Sequence, residues 1–121
     1  PNYAYVAGRL LLQKLAEESF EELGFEYTSS QIPVNYQGYF QTAIETGVKE
    51  ALLSKDMLSF DLDRLAKAIV PERDLLLKYM GIKILADRYL IKSRKSRNRI
   101  ELPQSFWMRV AMGLALNEGP E

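Results

Sequence analysis

Residues 103–117 read PQSFWMRVAMGLALN. Proline leads the stretch. Its fixed φ suits the first turn of a helix, and the N–H it lacks has no partner there in any case. Phe106, Trp107, Met108, Val110, Ala111, Met112, Leu114 and Leu116 then cover nearly the whole circumference of a helix over 104–117. A helix that is apolar on all sides belongs in a protein interior. This segment is therefore expected to be the central packing element of an all-α fold, resting on Phe106, Trp107, Val110 and Leu114. If Trp107 is buried there, replacing it by alanine removes about 3–5 kcal/mol. Arg109 is the one charge in the middle of the stretch, and a guanidinium in apolar surroundings needs a partner. A carboxylate from another helix, such as Asp87 or Asp74, is expected to supply it, rather than a substrate.

The segment just before this helix has a different character. Leu90 and Ile91 precede Lys92, Arg94, Lys95, Arg97 and Arg99, and Ile100 and Leu102 follow. Two β-prone pieces around a polar tip predict a small basic β-hairpin. Further back, residues 72–89 carry Leu75, Leu76, Leu77, Tyr79, Met80, Ile82, Ile84 and Leu85, which predicts a mostly buried helix. Pro71 is placed to open it, with Glu72 and Asp74 near its positive end. A short helix is expected over 62–69 with Asp61 as N-cap. Tyr36, Phe40, Ile44, Val48 and Leu52 form an i, i+4 stripe for a helix over 36–53, although Gly38 and Gly47 each weaken it by about 1 kcal/mol. Residues 25–34, with Thr28, Ser29, Ser30 and Pro33, read as a loop. The first helix is expected over 3–23, with Asn2 as N-cap, Val6, Ala7, Leu10, Leu11 and Leu15 on its apolar stripe, and Gly24 as its stop. The expected fold is thus an all-α helical bundle of about five helices with one small basic β-hairpin before the last.

The chain has 121 residues, no cysteine and no histidine, and 16 basic residues balance 16 acidic ones. This length suits a single domain over 1–121. Without cysteine there is no disulfide, thiolate metal site or thiol nucleophile. Without histidine the commonest general base is missing, so no Cys–His or Ser–His catalytic pair can form. Carboxylate and lysine chemistry remain open. Charge is uneven: residues 1–70 carry six basic and ten acidic groups, and residues 71–121 carry ten and six. The halves, at −4 and +4, are expected to attract one another weakly in the folded state. The longest apolar runs fall short of a membrane span, and no signal-peptide pattern is present. A first residue that is not methionine, with an apolar pattern from Tyr3 onward, suggests a piece of a longer chain.

Each constellation that could carry chemistry also has a structural reading. Glu17, Glu18, Glu21 and Glu22 share helix faces, but a bundle di-metal site needs Glu-x-x-His motifs, so a solvated helix end explains them better. Asp61 and Asp63 lack the further oxygen ligands and the glycine of a calcium loop; capping and the helix dipole account for both. The run from Lys92 to Arg99 could bind phosphate or nucleic acid. It has no interleaved aromatic residue for stacking, and a soluble tip that resists edge pairing is the simpler reading. The seven tyrosines and Trp107 are most simply core residues. No phosphate-cradling glycine motif is present.

Longer strings carry a resemblance. Tyr3 to Leu12 (YAYVAGRLLL), Pro71 to Leu76 (PERDLL), Asp87 to Leu90 (DRYL) and above all Arg99 to Glu118 (RIELPQSFWMRVAMGLALNE) occur in order. Together they resemble the helical region of the large (alpha) subunit of class I ribonucleotide reductase, across essentially the whole chain. The resemblance implies a helical scaffold segment of an enzyme that reduces ribonucleoside diphosphates to deoxyribonucleotides by thiyl-radical chemistry for DNA synthesis. It implies a place between an N-terminal ATP-cone and a catalytic ten-stranded α/β barrel, which the segment would brace. The implied partners are the rest of the alpha chain, a beta (small) subunit and a second alpha subunit, through regions outside or near this segment. There is no membrane partner, and the implied location is cytoplasmic. The implied cofactors are nucleoside triphosphate effectors and a radical-generating metal in the small subunit, with none in this segment.

The family's radical and reducing cysteines have no counterpart here. No catalytic, cofactor-binding or metal residue is therefore assigned to any position, and the segment alone is expected to be inactive. The alternative from a different class is a stand-alone helical module that binds protein or nucleic acid through Lys92–Arg99.

Overall fold

A computed structural model describes residues 3–27 and 32–118. Among these, five α-helices follow in order: α1 (Tyr3–Glu22), α2 (Ile32–Lys49), α3 (Leu62–Ala68), α4 (Tyr79–Arg88) and α5 (Pro103–Glu118). Two short 3-10 segments, Lys55–Ser59 and Pro71–Leu76, lie between them. The all-α expectation holds. Asn2, Thr28, Ser29 and Ser30 lie outside the described residues.

α1 packs on α4 and α2 packs on α3, while Pro71–Leu76 touches α1, α2 and α5. The interior is centred on aromatic residues of α1 and α2. Phe20, Tyr36, Tyr39 and Phe40 are fully buried, and the Phe20 and Tyr39 rings stand 4.8 Å apart. Ile44, Ala66, Ile82, Leu102 and Met112 close around them. The i, i+4 stripe of the second helix is thus real, with Tyr36, Phe40 and Ile44 buried. The helix itself begins and ends earlier than its pattern. It starts at Ile32 because Pro33 falls in the first turn, where a missing N–H is harmless. It ends at Lys49, and Ala51 follows with φ of +60°. Leu52 N donates to Gly47 O and Ala51 N donates to Val48 O, the paired bonds of a Schellman stop. Leu52 therefore lies past the helix.

The same motif ends α1 as expected. Gly24 has φ of +83°, Phe25 N donates to Phe20 O, and Gly24 N donates to Glu21 O. The buried face of α1 is not the expected one. Leu15 is buried, but Val6 and Leu10 face outward at 56% and 66% exposure, and the inward residues are Gly8, Leu12, Leu15, Ala16, Ser19 and Phe20. Leucines surround this helix, so periodicity alone leaves the choice open. Gly8 decides it, because only a residue without a side chain admits the backbone of Leu77–Tyr79. A Cβ on Gly8 would stand 3.0 Å from Tyr79 N and 3.1 Å from Leu77 O.

That close approach also explains why the predicted helix over 72–89 is two pieces. Leu77 and Lys78 are extended, with ψ of 140° and 165°, and α4 starts only at Tyr79. Ile82 and Leu85 are buried, but Leu75, Leu76, Met80 and Ile84 are exposed, so the segment is not mostly buried. α3 forms as read, with Asp61 Oδ1 accepting from Arg64 N at 3.2 Å.

The last helix is the largest departure. Phe106 and Met112 are buried, but Trp107 is 52% exposed and Leu114 60% exposed. α5 lies at one side of the described fold rather than at its centre, because the aromatic residues of α1 and α2 already fill the interior. The premise for a large Trp107 loss therefore fails, and half-burial of that side chain supports a cost of only about 1–2 kcal/mol. The tyrosines divide in the same way: Tyr36 and Tyr39 are core, while Tyr3 and Tyr89 are exposed.

The expected hairpin is also corrected. Lys92 and Arg99 form one isolated antiparallel bridge, and no strand occurs among the described residues. Two backbone bonds flank that bridge, Ile100 N to Ile91 O at 2.9 Å and Ser93 N to Asn98 O at 2.8 Å, and carboxylates hold three further amides. Ile91 N donates to Glu101 Oε1 at 2.9 Å, Arg94 N to Glu50 Oε1 at 2.6 Å, and Arg99 N to Glu18 Oε2 at 2.7 Å.

Candidate functional site

The polar groups of the interior meet where the 90–102 loop and the start of α5 lie against α1, α2 and the Pro71–Leu76 segment. Asp74 is the centre of the first cluster. Its Oδ1 accepts from Gln104 N at 2.8 Å, and its Oδ2 accepts from the Tyr36 hydroxyl at 3.0 Å. The Tyr36 oxygen in turn accepts from Ser105 N at 3.4 Å. Ser105 Oγ accepts from Leu102 N at 2.9 Å, the backward half of a capping box. Asp74 thus caps α5 from a distant segment, where unpaired amides and the helix dipole favour negative charge.

Burial nevertheless pushes the Asp74 carboxyl up to about 7, against the lowering effect of its hydrogen bonds from Tyr36 and Gln104. Burial, followed by the neighbouring Asp74 charge, raises the Tyr36 phenol well above its ordinary value. Tyr39 is raised too, chiefly by burial, against the lowering effect of the neighbouring Ser19 hydroxyl.

The second cluster holds Arg109. Its Nε donates to Glu101 Oε2 at 2.6 Å and its Nη2 to Glu101 Oε1 at 3.1 Å. The expected structural ion pair exists, but its partner is neither Asp87 nor Asp74. Those residues are engaged elsewhere, Asp87 with Lys83 and Arg99, and Asp74 with Tyr36 and Gln104. Glu101 is in the loop eight residues earlier, and its carboxylate meets Arg109 alongside the first two turns of α5. Arg109 also lies over the Phe106 ring, 5.0 Å from its centre.

The third cluster surrounds the basic loop. Arg99 is drawn inward: its Nε donates to Ala86 O at 2.7 Å, and its terminal nitrogens stand 3.7 Å from Glu18 and Asp87. Ser19 Oγ donates to Arg99 O at 2.7 Å. Asn98 donates to Glu22, and Glu50 accepts from both Ser93 Oγ and Arg94 N. Lys92, Arg94, Lys95 and Arg97 remain exposed.

Two of the four glutamates read as a solvated helix end, Glu18 and Glu22, therefore anchor this loop. The opposite charges of the two halves meet here. Asp63 forms an exposed i, i+4 pair with Lys67 at 2.9 Å, in line with its structural reading. Among the described residues no group of three or more acidic, histidine or cysteine side chains is arranged to hold a metal. No helix of the described residues is long and apolar enough to cross a membrane.

A cleft of about 310 Å³ opens between α1 and Pro71–Leu76. Leu12, Ala16, Pro71 and Leu102 line it, with Arg9, Gln13, Glu72 and Asp74 among its polar groups. Neither the buried Asp74 nor the bonds made by Glu101 and Glu50 were visible from sequence pattern. The available signal was weak: Asp74 stands just before the leucines at 75–77, and Glu101 stands between Ile100 and Leu102. An acid in such surroundings needs an internal donor.

The polar interior as described braces the loop and caps α5, and no nucleophile–base pair emerges from it. Comparison with known proteins agrees with a part of a larger machine. A family profile described as "Ribonucleotide reductase, all-alpha domain" matches residues 75–121. The ribonucleoside-diphosphate reductase subunit alpha of Chlamydia trachomatis is 42% identical over 118 residues, covering 98% of this chain and 11% of the relative. The subunit alpha of Helicobacter pylori is 40% identical over 118 residues, covering 98% and 14%. The large subunit from Monkeypox virus is 30% identical over 117 residues, covering 94% and 14%. The chain spans only 11–14% of the length of these curated relatives. With its all-α fold and the ordered strings from Tyr3 to Glu118, the chain belongs to the ribonucleotide reductase large-subunit family, matching the family's N-terminal all-alpha domain.

Proposed function

We propose that this chain is the helical scaffold segment of a ribonucleoside-diphosphate reductase alpha subunit. The whole enzyme reduces ribonucleotides to deoxyribonucleotides for DNA synthesis, and the segment braces the catalytic barrel and joins it to a regulatory cone. Identity of 42% over 98% of this chain to an alpha subunit carries the reading. The absence of cysteine and histidine supports the division of labour, since radical and reducing cysteines then belong to another part of the alpha chain. In this reading the nucleoside triphosphate effectors and the small subunit's radical-generating metal act outside the segment. The beta subunit and a second alpha subunit are partners of the whole enzyme, which works in the cytoplasm.

The test is a chimera. The matching stretch of the Chlamydia trachomatis alpha subunit is replaced by residues 1–121 and assayed with its own beta subunit. Diphosphate reduction within about tenfold of the parent is expected, a loss of no more than 1.4 kcal/mol in transition-state stabilisation. A folded chimera without activity refutes the scaffold reading. A purified 121-residue chain that reduces nucleotides by itself also overturns it.

A further inference from the structure

We propose that the tip of the 92–97 loop is a docking element for an acidic polypeptide segment. Lys92, Arg94, Lys95 and Arg97 are exposed, and none of them forms an ion pair among the described residues. The nearby carboxylates bond to backbone amides and uncharged side chains of the loop, not to these four side-chain cations. Glu50 accepts from Ser93 Oγ and Arg94 N, Glu18 from Arg99 N, and Glu22 from Asn98 Nδ2. These bonds hold the backbone of the tip, and of its cationic heads Arg94 donates to Ala51 O at 3.4 Å while remaining exposed. Arg97 sits at φ of +68°, a left-handed position that glycine or asparagine occupies more cheaply. Lys49 lines the same polar hollow as Arg94 and Lys95, which also contains Glu22 and Glu50, so positive groups outnumber negative ones there by three to two.

A loop already fixed in place loses little conformational freedom on binding, which favours recognition. Guanidinium and ammonium groups are donors only, and arginine's planar fork matches a carboxylate in two bonds. Nucleic acid fits less well. The chain has zero formal charge and a pI near 6.9, so no broad basic field surrounds the tip. No aromatic residue lies within 92–99 to stack on a base. Four cations on a single turn suit an extended run of glutamates or aspartates. This surface is independent of the scaffold role.

The test uses a fluorescein-labelled oligoglutamate and, separately, a duplex DNA, each titrated into the 121-residue chain by fluorescence anisotropy. At about 25 mM salt the peptide is expected to bind, and to weaken several-fold at about 150 mM. Replacing Lys92, Arg94, Lys95 and Arg97 together by glutamine is expected to weaken binding at least tenfold. The same change at Lys14, Lys55, Arg64 and Arg73 is expected to leave it within about twofold, as screening predicts for distant charges. Lys92→Arg with Lys95→Arg keeps the charge and is expected to keep binding. Melting curves establish that each variant is folded. The proposal is overturned by no peptide binding at low salt, by equal loss in the two neutralised variants, or by DNA binding tighter than the peptide.

Discussion

Removing Arg109 should destabilise the fold far more than neutralising its partner. The pair is unequal in burial, since the Glu101 side chain is 4% exposed and that of Arg109 is 18%. Arg109→Met fills similar space but leaves a carboxylate with almost no water. Breaking a buried pair in this way costs about 3–5 kcal/mol. Glu101→Gln leaves Arg109 charged, but that group keeps partial solvent and the face of Phe106, so a cost of about 1–3 kcal/mol follows. Glutamine also keeps an acceptor for Ile91 N, which Glu101 Oε1 holds at 2.9 Å. Glu101→Leu orphans that amide and adds about 1–3 kcal/mol.

The double variant Glu101→Gln/Arg109→Met should therefore be about as stable as Arg109→Met alone, its loss falling short of the sum of the singles by a coupling of about 2 kcal/mol. Urea titration of the four proteins measures each term. In a thermal melt Arg109→Met should lower Tm by about 10–20 °C for a chain of this size. An Arg109→Met loss under about 1 kcal/mol, or a double variant whose losses simply add, refutes the reasoning.

Three further outcomes can be checked by the same methods. Gly8→Ala should destabilise by about 1–3 kcal/mol despite alanine's better helix propensity, because its Cβ meets the Leu77–Tyr79 backbone; a gain in urea midpoint contradicts the α1–α4 packing. Ala51→Gly should stabilise by about 0.5–1 kcal/mol by relieving the left-handed C′ position, and a loss of stability there counts against it. The Asp74 pKa, raised from 3.8 to about 7, stabilises the fold through the protonated carboxyl; that contribution is complete below about pH 4 and disappears as pH rises through about 7. Stability should thus fall between about pH 4 and about pH 7, and Asp74→Asn should flatten that slope; a slope unchanged in the variant assigns it to other groups.

Local chemistry was the legible part of this protein. Gly24, Asp61 and the stop of α1 followed from backbone conformation and capping, which involve only near neighbours in sequence. The stripe of Tyr36, Phe40 and Ile44 was equally plain, because polar residues flank it and leave one face to bury. Where apolar residues surround a helix, the pattern did not single out a face. Val6 and Leu10 were read inward and point outward, and Trp107 was read as buried and is half exposed.

The polar interior was less legible still. Asp74 reaches Tyr36 across 38 positions, and Glu50 reaches the basic loop across more than 40. A carboxylate's partner is set by distance in space, so no spacing in the chain foretells it. By itself the sequence determined an all-α domain without cysteine or histidine chemistry, and its ordered strings pointed to the family. Tertiary structure alone decided the rest: which face of α1 is inside, why the helix after Pro71 breaks at Gly8's contact, and how Glu18 and Glu50 hold amides of the basic loop. Each of those depends on close approach between segments far apart in the chain, where one missing Cβ or one buried charge outweighs local preference.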